Sequence, residues 1–449
     1  MTSYIEEFNG IEKQKDYYDN LFAQLEKLNE EYHAFNVINN KTNPGFLFST
    51  KANICVKGFE TDAGSKMLKG YVPSFNATAV ERILSDKKFA FAGVTAMDEF
   101  GFGTFGTNTE VCARNAFDRE YAAGGSSSGA AVAVALMKYQ VSVAESTGGS
   151  IATPAALNGV VGFTPTYGAV SRYGLIDYAN SLDKIGVMAR SSDDARIVFD
   201  MMRGRDDYDT TCAVDKITAE RRKKIFVING MLEKADPSIK TAFEKIMNRL
   251  GSTYEITHVD SSIMEMAIAP YYIIAMAEAS TNLAKYTGYK YGLMSEDFYK
   301  QYNEFFTDAR ESFGIEAKRR ILLGTFIRSE SVKDKYYTKA LVIRGMLIRE
   351  MDRMLKEGYI LSPTLPIKAP RISDVKKLSP VESYSMDLFT IPPNLGGFPH
   401  ISFPYDYVDG MPLGAQLVTG HGNDHAILDF VKEWEEGFEY KYKQNLGEL

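Results

Sequence analysis

Three observations predict an α/β layer structure. Short runs rich in aromatic and β-branched residues recur along the chain, helical patterns separate most of them, and Gly/Ser clusters adjoin these patterned segments. Leu21, Leu25, Leu28 and Tyr32 recur at helical spacing in a charged background, which predicts an amphipathic helix over about 15–33. Phe46-Leu47-Phe48 reads as a strand that delivers Lys51 to its end, Ala77 to Leu84 as a helix, and Phe89 to Ala92 as the next strand. Ala130 to Met137 is apolar throughout and reads as a buried helix, and Val141 and Val143 alternate as in a short strand. Ile225 to Ile228 and Ile239 to Leu250 repeat the strand-then-helix order. From about Met264 to Lys356 strand signals stop and charged amphipathic helices take over, as in Glu311 to Arg320 and Lys333 to Lys356. Tyr359 to Leu361, Ile401 to Phe403 and Gln416 to Val418 are the last strands. No repeat, low-complexity segment or Pro-rich linker interrupts the pattern. One composite domain over 1–449 is therefore expected, with a core over about 40–230 and 357–440 and a helical sub-region over about 264–356.

Composition narrows the function. The 449 residues are 45% hydrophobic and 24% charged, as in an ordinary globular protein able to bury a large core. A net charge of -7 argues against a broad, sequence-independent grip on nucleic acid, which needs a basic face. The apolar runs are too short to cross a bilayer. Cys55, Cys112 and Cys212 are odd in number and far apart, which fits a reducing compartment better than a disulfide framework. The five histidines form no metal-binding motif. The acidic N-terminal stretch resembles neither a transit peptide nor a secretory signal, so a cytoplasmic location is expected.

The chemistry is concentrated in two Gly/Ser loops, Gly124-Gly125-Ser126-Ser127-Ser128-Gly129 and Ser146-Thr147-Gly148-Gly149-Ser150-Ile151. Glycine beside serine lets backbone amides and hydroxyls converge at one point, as an oxyanion site requires. Gly125 to Gly129 also matches the G-x-S-x-G elbow with Ser127 as nucleophile, but the approach from Asn115 to Tyr121 is too polar for the strand an elbow needs. Gly101-Phe102-Gly103-Thr104-Phe105-Gly106 matches the dinucleotide fingerprint, yet it follows Asp98 and Glu99, which would repel a pyrophosphate.

With Lys51-Ala52-Asn53-Ile54, the two loops, Gly159 to Gly168, Ser181-Leu182-Asp183, Lys318 to Ile321, Ser362-Pro363-Thr364 and Asn394 to Gly397, the chain resembles the amidase-signature family. Within that family it is most similar to the glutaminase A subunits of the aspartyl/glutamyl-tRNA amidotransferases, from about Leu21 to the C-terminal helix. The resemblance implies the amidase-signature fold, a mixed central sheet covered by helices on both faces. It also implies a Ser/cis-Ser/Lys triad: Ser150 as nucleophile, Ser126 on a cis peptide after Gly125 as bridge, and Lys51 as base. Backbone N–H groups of Thr147, Gly148, Gly149 and Ser150 would form the oxyanion hole. Arg320 would hold the carboxylate of glutamine and Asp387 its ammonium, the planar guanidinium suiting the first task.

A lysine base must be neutral, so burial has to lower its pKa from the usual ~10.4. Lys51 follows an apolar strand with no acid within three residues, and Lys57, in a polar turn, is the surface alternative. Two departures stand out. The family's Asp-Thr-Gly-Gly-Ser-Ile-Arg appears here with Ser146 and Ala152 at its ends, an acid and a base missing together, and Ala52 replaces the aspartate after the lysine.

The resemblance implies glutamine hydrolysis, with ammonia passed to a B-type subunit that binds tRNA and activates Asp-tRNA(Asn) or Glu-tRNA(Gln) with ATP and magnesium, while a small C-type subunit wraps the pair. No cofactor or metal is expected in this chain, and tRNA only indirectly. The alternatives are a stand-alone amidase for small carboxamides and a catalytically weak scaffold subunit.

Overall fold

The computed structural model describes residues 3–8, 15–214, 216–293 and 301–446. Eleven strands form one sheet: β1 (Phe35–Ile38), β2 (Phe46–Lys51), β3 (Phe89–Thr95), β4 (Gln140–Ser146), β5 (Val161–Thr164), β6 (Lys184–Ala189), β7 (Lys224–Ile228), β8 (Glu255–Val259), β9 (Gly358–Pro363), β10 (His400–Val408) and β11 (Met411–Val418). Their spatial order is β1-β3-β2-β4-β6-β5-β10-β11-β9-β7-β8. The sheet is mixed in a definite way. β3, β2 and β4 are parallel to one another, as are β9, β7 and β8, while every contact from β4 across β6, β5, β10 and β11 to β9 is antiparallel.

Each expected strand forms, and four more join them. β5 and β6 escape a sequence reading because Gly162 and Gly186 interrupt their apolar character, and β8 is a polar edge strand. Gly162 is there for packing: a side chain would meet Ala155 Cβ at 2.6 Å, where the helix Ala152–Leu157 crosses the sheet.

Helices flank the sheet. The N-terminal helix runs Lys15–Tyr32 and buries Leu21, Leu25 and Tyr32. The wholly buried helix Ser128–Leu136 makes the crossover into β4, packing on β2, β3, β4 and β6. The helices Ile268–Asn282, Ile315–Arg328 and Tyr337–Glu357 pack together as a layer, the first of them touching both of the others.

The continuous helix expected over Glu311 to Arg320 is instead two. Tyr302–Glu311 stops, and Ile315–Arg328 starts after Gly314, whose N–H donates to both Glu99 carboxylate oxygens at 3.0 Å. A Cβ on Gly314 would lie 2.2 Å from that carboxylate, so glycine at the break lets the chain approach Glu99. The last long helix likewise begins at Tyr337 rather than Lys333, after a run of turns. Among the described residues no helix is long and apolar enough to cross a membrane.

Candidate active site

Because β3, β2 and β4 are parallel, their carboxyl ends lie side by side, the usual place for a site in such a sheet. Lys51 is the last residue of β2, and the pairing of Thr50 with Val143 brings the loop after β4 out beside it. Lys51 is fully buried. Its Nζ donates to Ser126 Oγ at 2.7 Å, to the Glu145 carbonyl oxygen at 3.1 Å and to Glu145 Oε2 at 2.8 Å. Lys57, the alternative, is exposed.

The Gly125–Ser126 peptide is cis. Gly125 is held so close to Asp98 that a Cβ there would lie 2.1 Å from Asp98 Oδ2. Asp98 is fully buried and takes the N–H groups of Gly106 at 3.1 Å and Asn108 at 2.7 Å; burial pushes its carboxyl up to about 6. The acids that count against a pyrophosphate thus brace loops: Asp98 ties down the 101–108 turn and Glu99 the Gly314 break. That turn leads into irregular chain rather than a helix, so the dinucleotide fingerprint is coincidental. No strand leads into the 125–129 stretch either, and Ser127 Oγ donates to the Glu145 carbonyl oxygen at 3.2 Å, a structural role.

The second loop lies against the first, with Ser127 N–H donating to the Ser150 carbonyl oxygen at 3.3 Å. Ser150 is 6% exposed where Lys51 and Ser126 are 0%, and its hydroxyl makes no hydrogen bond among the described residues. The most accessible of the three hydroxyl or amine groups is therefore the one expected to meet substrate. The amide N–H groups of Thr147, Gly148, Gly149 and Ser150 likewise have no acceptor among the described residues, although the loop is buried. Buried amides are nearly always paired, so a cluster left free marks a place for an anionic oxygen. Gly148 lets Tyr271 close over this loop: a Cβ would meet its hydroxyl at 2.5 Å.

Two motif residues hold the loop. Thr147 Oγ1 lies 2.7 Å from Glu145 Oε1 and 2.8 Å from Asp183 Oδ1. On the other side Asn394 Nδ2 donates to the Gly148 carbonyl oxygen and, at 2.9 Å, to that of Thr390. No acid lies within three residues of Lys51 in sequence, yet one touches it in space. Sequence distance concealed Glu145, which the parallel pairing of β2 with β4 brings into contact.

Arg320 and Asp387, far apart in sequence, meet around Tyr272. The buried Arg320 donates from Nε to Glu316 Oε1 at 2.8 Å and from Nη1 to the Tyr178 hydroxyl, leaving Nη2 without a hydrogen bond among the described residues. Its guanidinium stands 4.6 Å from the Phe102 ring centroid and 5.5 Å from that of Tyr272. Asp387 Oδ2 accepts from the Tyr272 hydroxyl at 2.8 Å and from Thr104 Oγ1 at 3.1 Å, and Oδ1 has no partner among the described residues. Burial pushes the Asp387 carboxyl up to about 6, against these two hydrogen bonds and the charge of Arg320. Tyr384 stacks on Tyr272 with ring centroids 4.0 Å apart. A cavity of about 320 Å³ opens against Arg320, Thr104 and Tyr384, at the lower end of the ~300–1,000 Å³ typical for small ligands. A cation and an anion, each with a free polar atom in an aromatic enclosure, can take the two charges of an amino acid.

Sequence reading gave no site role to Glu145, to Asp183, Thr104 and Phe102, although these three lie in motifs it singled out, or to Tyr178, Tyr271, Tyr272 and Tyr384. One signal was present. Val141, Val143 and Glu145 share one face of a strand by the alternation of side chains, so an inward-facing acid was legible. The tyrosines carry no such mark, because helical or loop position alone does not tell which aromatic ring lines a site.

A family model described as Amidase matches residues 16–428. The A subunit of the glutamyl-tRNA(Gln) amidotransferase of Sulfolobus acidocaldarius is 36% identical over an alignment of 461 positions, gaps included, that covers 96% of each chain. The protein of the same name from Pseudothermotoga lettingae is 39% identical, covering 87% of this chain and 85% of its own. The crystal structure of the corresponding protein from Thermotoga maritima superposes with a TM-score of 0.81 at 29% identity, covering 95% of this chain and 94% of the other. The match spans both serine loops and the strand that carries Lys51, and the chain belongs to the amidase family.

Proposed function

We infer that the chain is the glutaminase subunit of a tRNA-dependent amidotransferase. The observation that carries this reading is the bond from Lys51 to Ser126 beside four buried amides that have no acceptor among the described residues. Ser150 attacks the side-chain amide of glutamine, with Ser126 and Lys51 as the route for its proton, because a serine hydroxyl is a weak nucleophile until a base relieves it of its proton. The amides of Thr147 to Ser150 stabilise the oxyanion, one such donor being worth roughly 3–4 kcal/mol of barrier. Arg320 takes the α-carboxylate and Asp387 the α-ammonium. Water then cleaves the glutamyl ester.

Relatives named as A subunits of glutamyl-tRNA(Gln) amidotransferases support a partnered role. Ammonia passes to a B-type subunit that binds tRNA and uses ATP and magnesium, with a small C-type subunit completing the assembly. The net charge of -7 agrees with leaving tRNA to the partner. The Lys51–Glu145 pair favours one other reading, because a lysine fixed in its charged form is no base and such a chain would serve assembly alone. Ammonia release from glutamine, measured for the chain alone and with its partner subunits, decides. Partner-stimulated release that vanishes in Ser150→Ala supports the glutaminase; no release in either preparation supports the scaffold, and release that survives the substitution defeats the assignment of the nucleophile.

A further inference from the structure

The acid absent from position 146 stands one residue earlier. Successive strand residues point to opposite faces, so this step turns a carboxylate from one side of β4 to the other, toward Lys51. Ser146 Oγ, on the side the acid has left, is buried without a hydrogen-bond partner among the described residues, while Glu145 is 1% exposed and fully engaged.

Hydrogen counting shows what this arrangement holds. Lys51 Nζ has three neighbours within 3.1 Å, of which the Glu145 carbonyl and carboxylate oxygens can only accept and the Ser126 hydroxyl can do either; an ammonium fits all three and supplies the cation that a buried carboxylate at 2.8 Å needs. Glu145 Oε2 also accepts from Asn53 Nδ2 at 3.1 Å. The Thr147 hydroxyl has one proton but stands between two carboxyl oxygens, so one of these acids carries a proton of its own. Burial, and then the charge of Glu145, raises Asp183 well above the usual carboxylate range. At rest the cluster is thus an ammonium, a carboxylate and a carboxylic acid, with no net charge.

We propose that Glu145 is the proton store behind Lys51, holding the proton of Ser150 while the acyl bond forms and returning it to the departing ammonia. This rests on the glutaminase reading above. As Ser150 Oγ bonds to the amide carbon, the carbonyl electron pair moves onto its oxygen. The Ser150 proton passes to Ser126, that of Ser126 to Lys51 Nζ, and one from Lys51 to Glu145 Oε2. Lys51 is an ammonium before and after the step, and Glu145 has become neutral. As the oxyanion pair re-forms the carbonyl and the carbon–nitrogen bond breaks, that bond's electron pair stays on nitrogen; Glu145 returns its proton to Lys51, Lys51 gives one to Ser126, Ser126 passes its own to the nitrogen, and ammonia leaves. Lys51 therefore needs no solvent to remove its proton first. Glu145 acts through Lys51 and is a positioning residue.

The groups facing Glu145 are few. β2 contributes Lys51, and Asp183 faces it through Thr147. Gly101 packs against Ser126, Glu145 and the Tyr178 ring, behind whose hydroxyl stands Arg320. Asp98 is in electrostatic reach of Lys51. Lys184, next to Asp183, gives its Nζ to the Phe398 carbonyl oxygen at 2.8 Å.

The test is kcat for glutamine-dependent ammonia release from about pH 5 to about pH 9, with the partner subunits present. Turnover of bound substrate is the right quantity, because Asp387 is then covered by the ammonium. The wild type should stay flat through neutral pH. Glu145→Gln should become steeply pH-dependent, its kcat falling toward acid pH and recovering toward the wild type in alkali, because no acid then stands behind Lys51 to take up the proton. A uniform drop with an unchanged profile would make Glu145 merely structural and overturn the proposal. A wild-type kcat that itself falls about tenfold per unit from pH 8 downward overturns it even if the variant does not fold. Release that survives Ser150→Ala instead overturns the glutaminase reading, so the two failures are distinguishable.

Discussion

The loops that carry Ser126 and Ser150 and the helical layer that carries Tyr272 and Arg320 reach one site by opposite means. In the loops the main chain supplies the chemistry. Four consecutive amides have no acceptor among the described residues, glycines let other groups close in, and every residue from Ala144 to Val161 is buried. In the helical layer a few side chains do so, and the remaining surface faces outward: Leu322, Phe326 and Val342 are 71%, 53% and 58% exposed. Changes in the loops should therefore act on rate and fold together, whereas changes in the layer should separate substrate grip from stability.

Ser150→Ala tests the first half of this contrast most severely, with an expected loss of more than about 10³-fold in ammonia release and an unchanged melting temperature. Next in size is stability at the altered loop ends. Ala152 and Ser146 are both fully buried, so Ala152→Arg strands a charge and should destabilise by ~3–5 kcal/mol, while the double variant Ser146→Asp/Ala152→Arg recovers much of the loss. Equal denaturation midpoints would dismiss that pairing. Gly148→Ala places a methyl group 2.5 Å from the Tyr271 hydroxyl and should shift the amides enough to remove ~3 kcal/mol of transition-state stabilisation, read as a fall in kcat.

On the layer's side, Asp387→Asn should raise KM for glutamine by ~10–100-fold, or ~1.4–2.7 kcal/mol, with a smaller change in kcat. The wild type should show the same loss with acid. The Asp387 carboxyl titrates at about 6, its charged form is the one that holds an ammonium, and KM should climb as pH falls through that value. A KM flat from neutral to acid pH would remove Asp387 from the grip. Leu322→Ser gives the smallest effect, within ~0.5 kcal/mol of wild-type stability by chemical denaturation, because the side chain is already in water.

The same contrast explains what could be read from the chain alone. The two Gly/Ser loops and the strand that ends at Lys51 were legible as pattern, whereas the triad roles of Lys51, Ser126 and Ser150 came by resemblance, and the cis peptide after Gly125 that the resemblance implies is present. Arg320 and Asp387 were reached by resemblance rather than by pattern. The contact of Glu145 with Lys51 stayed hidden behind a sequence separation of 94 positions, and strand pairing alone joins them. β5 and β6 were missed for a related reason: their glycines serve neighbouring elements, and a strand signal counts only the residues within it.

Tyr272 touches both halves of the proposed amino-acid clamp, its hydroxyl on Asp387 and its ring under Arg320. A single stiff phenol therefore fixes the gauge between the two gripping charges, and every α-amino acid presents that gauge equally. Length discrimination has to arise at the far end. Asparagine would be seated in the same clamp, and its carboxamide would stop one methylene, ~1.5 Å, short of the place where the glutamine carboxamide meets Ser150.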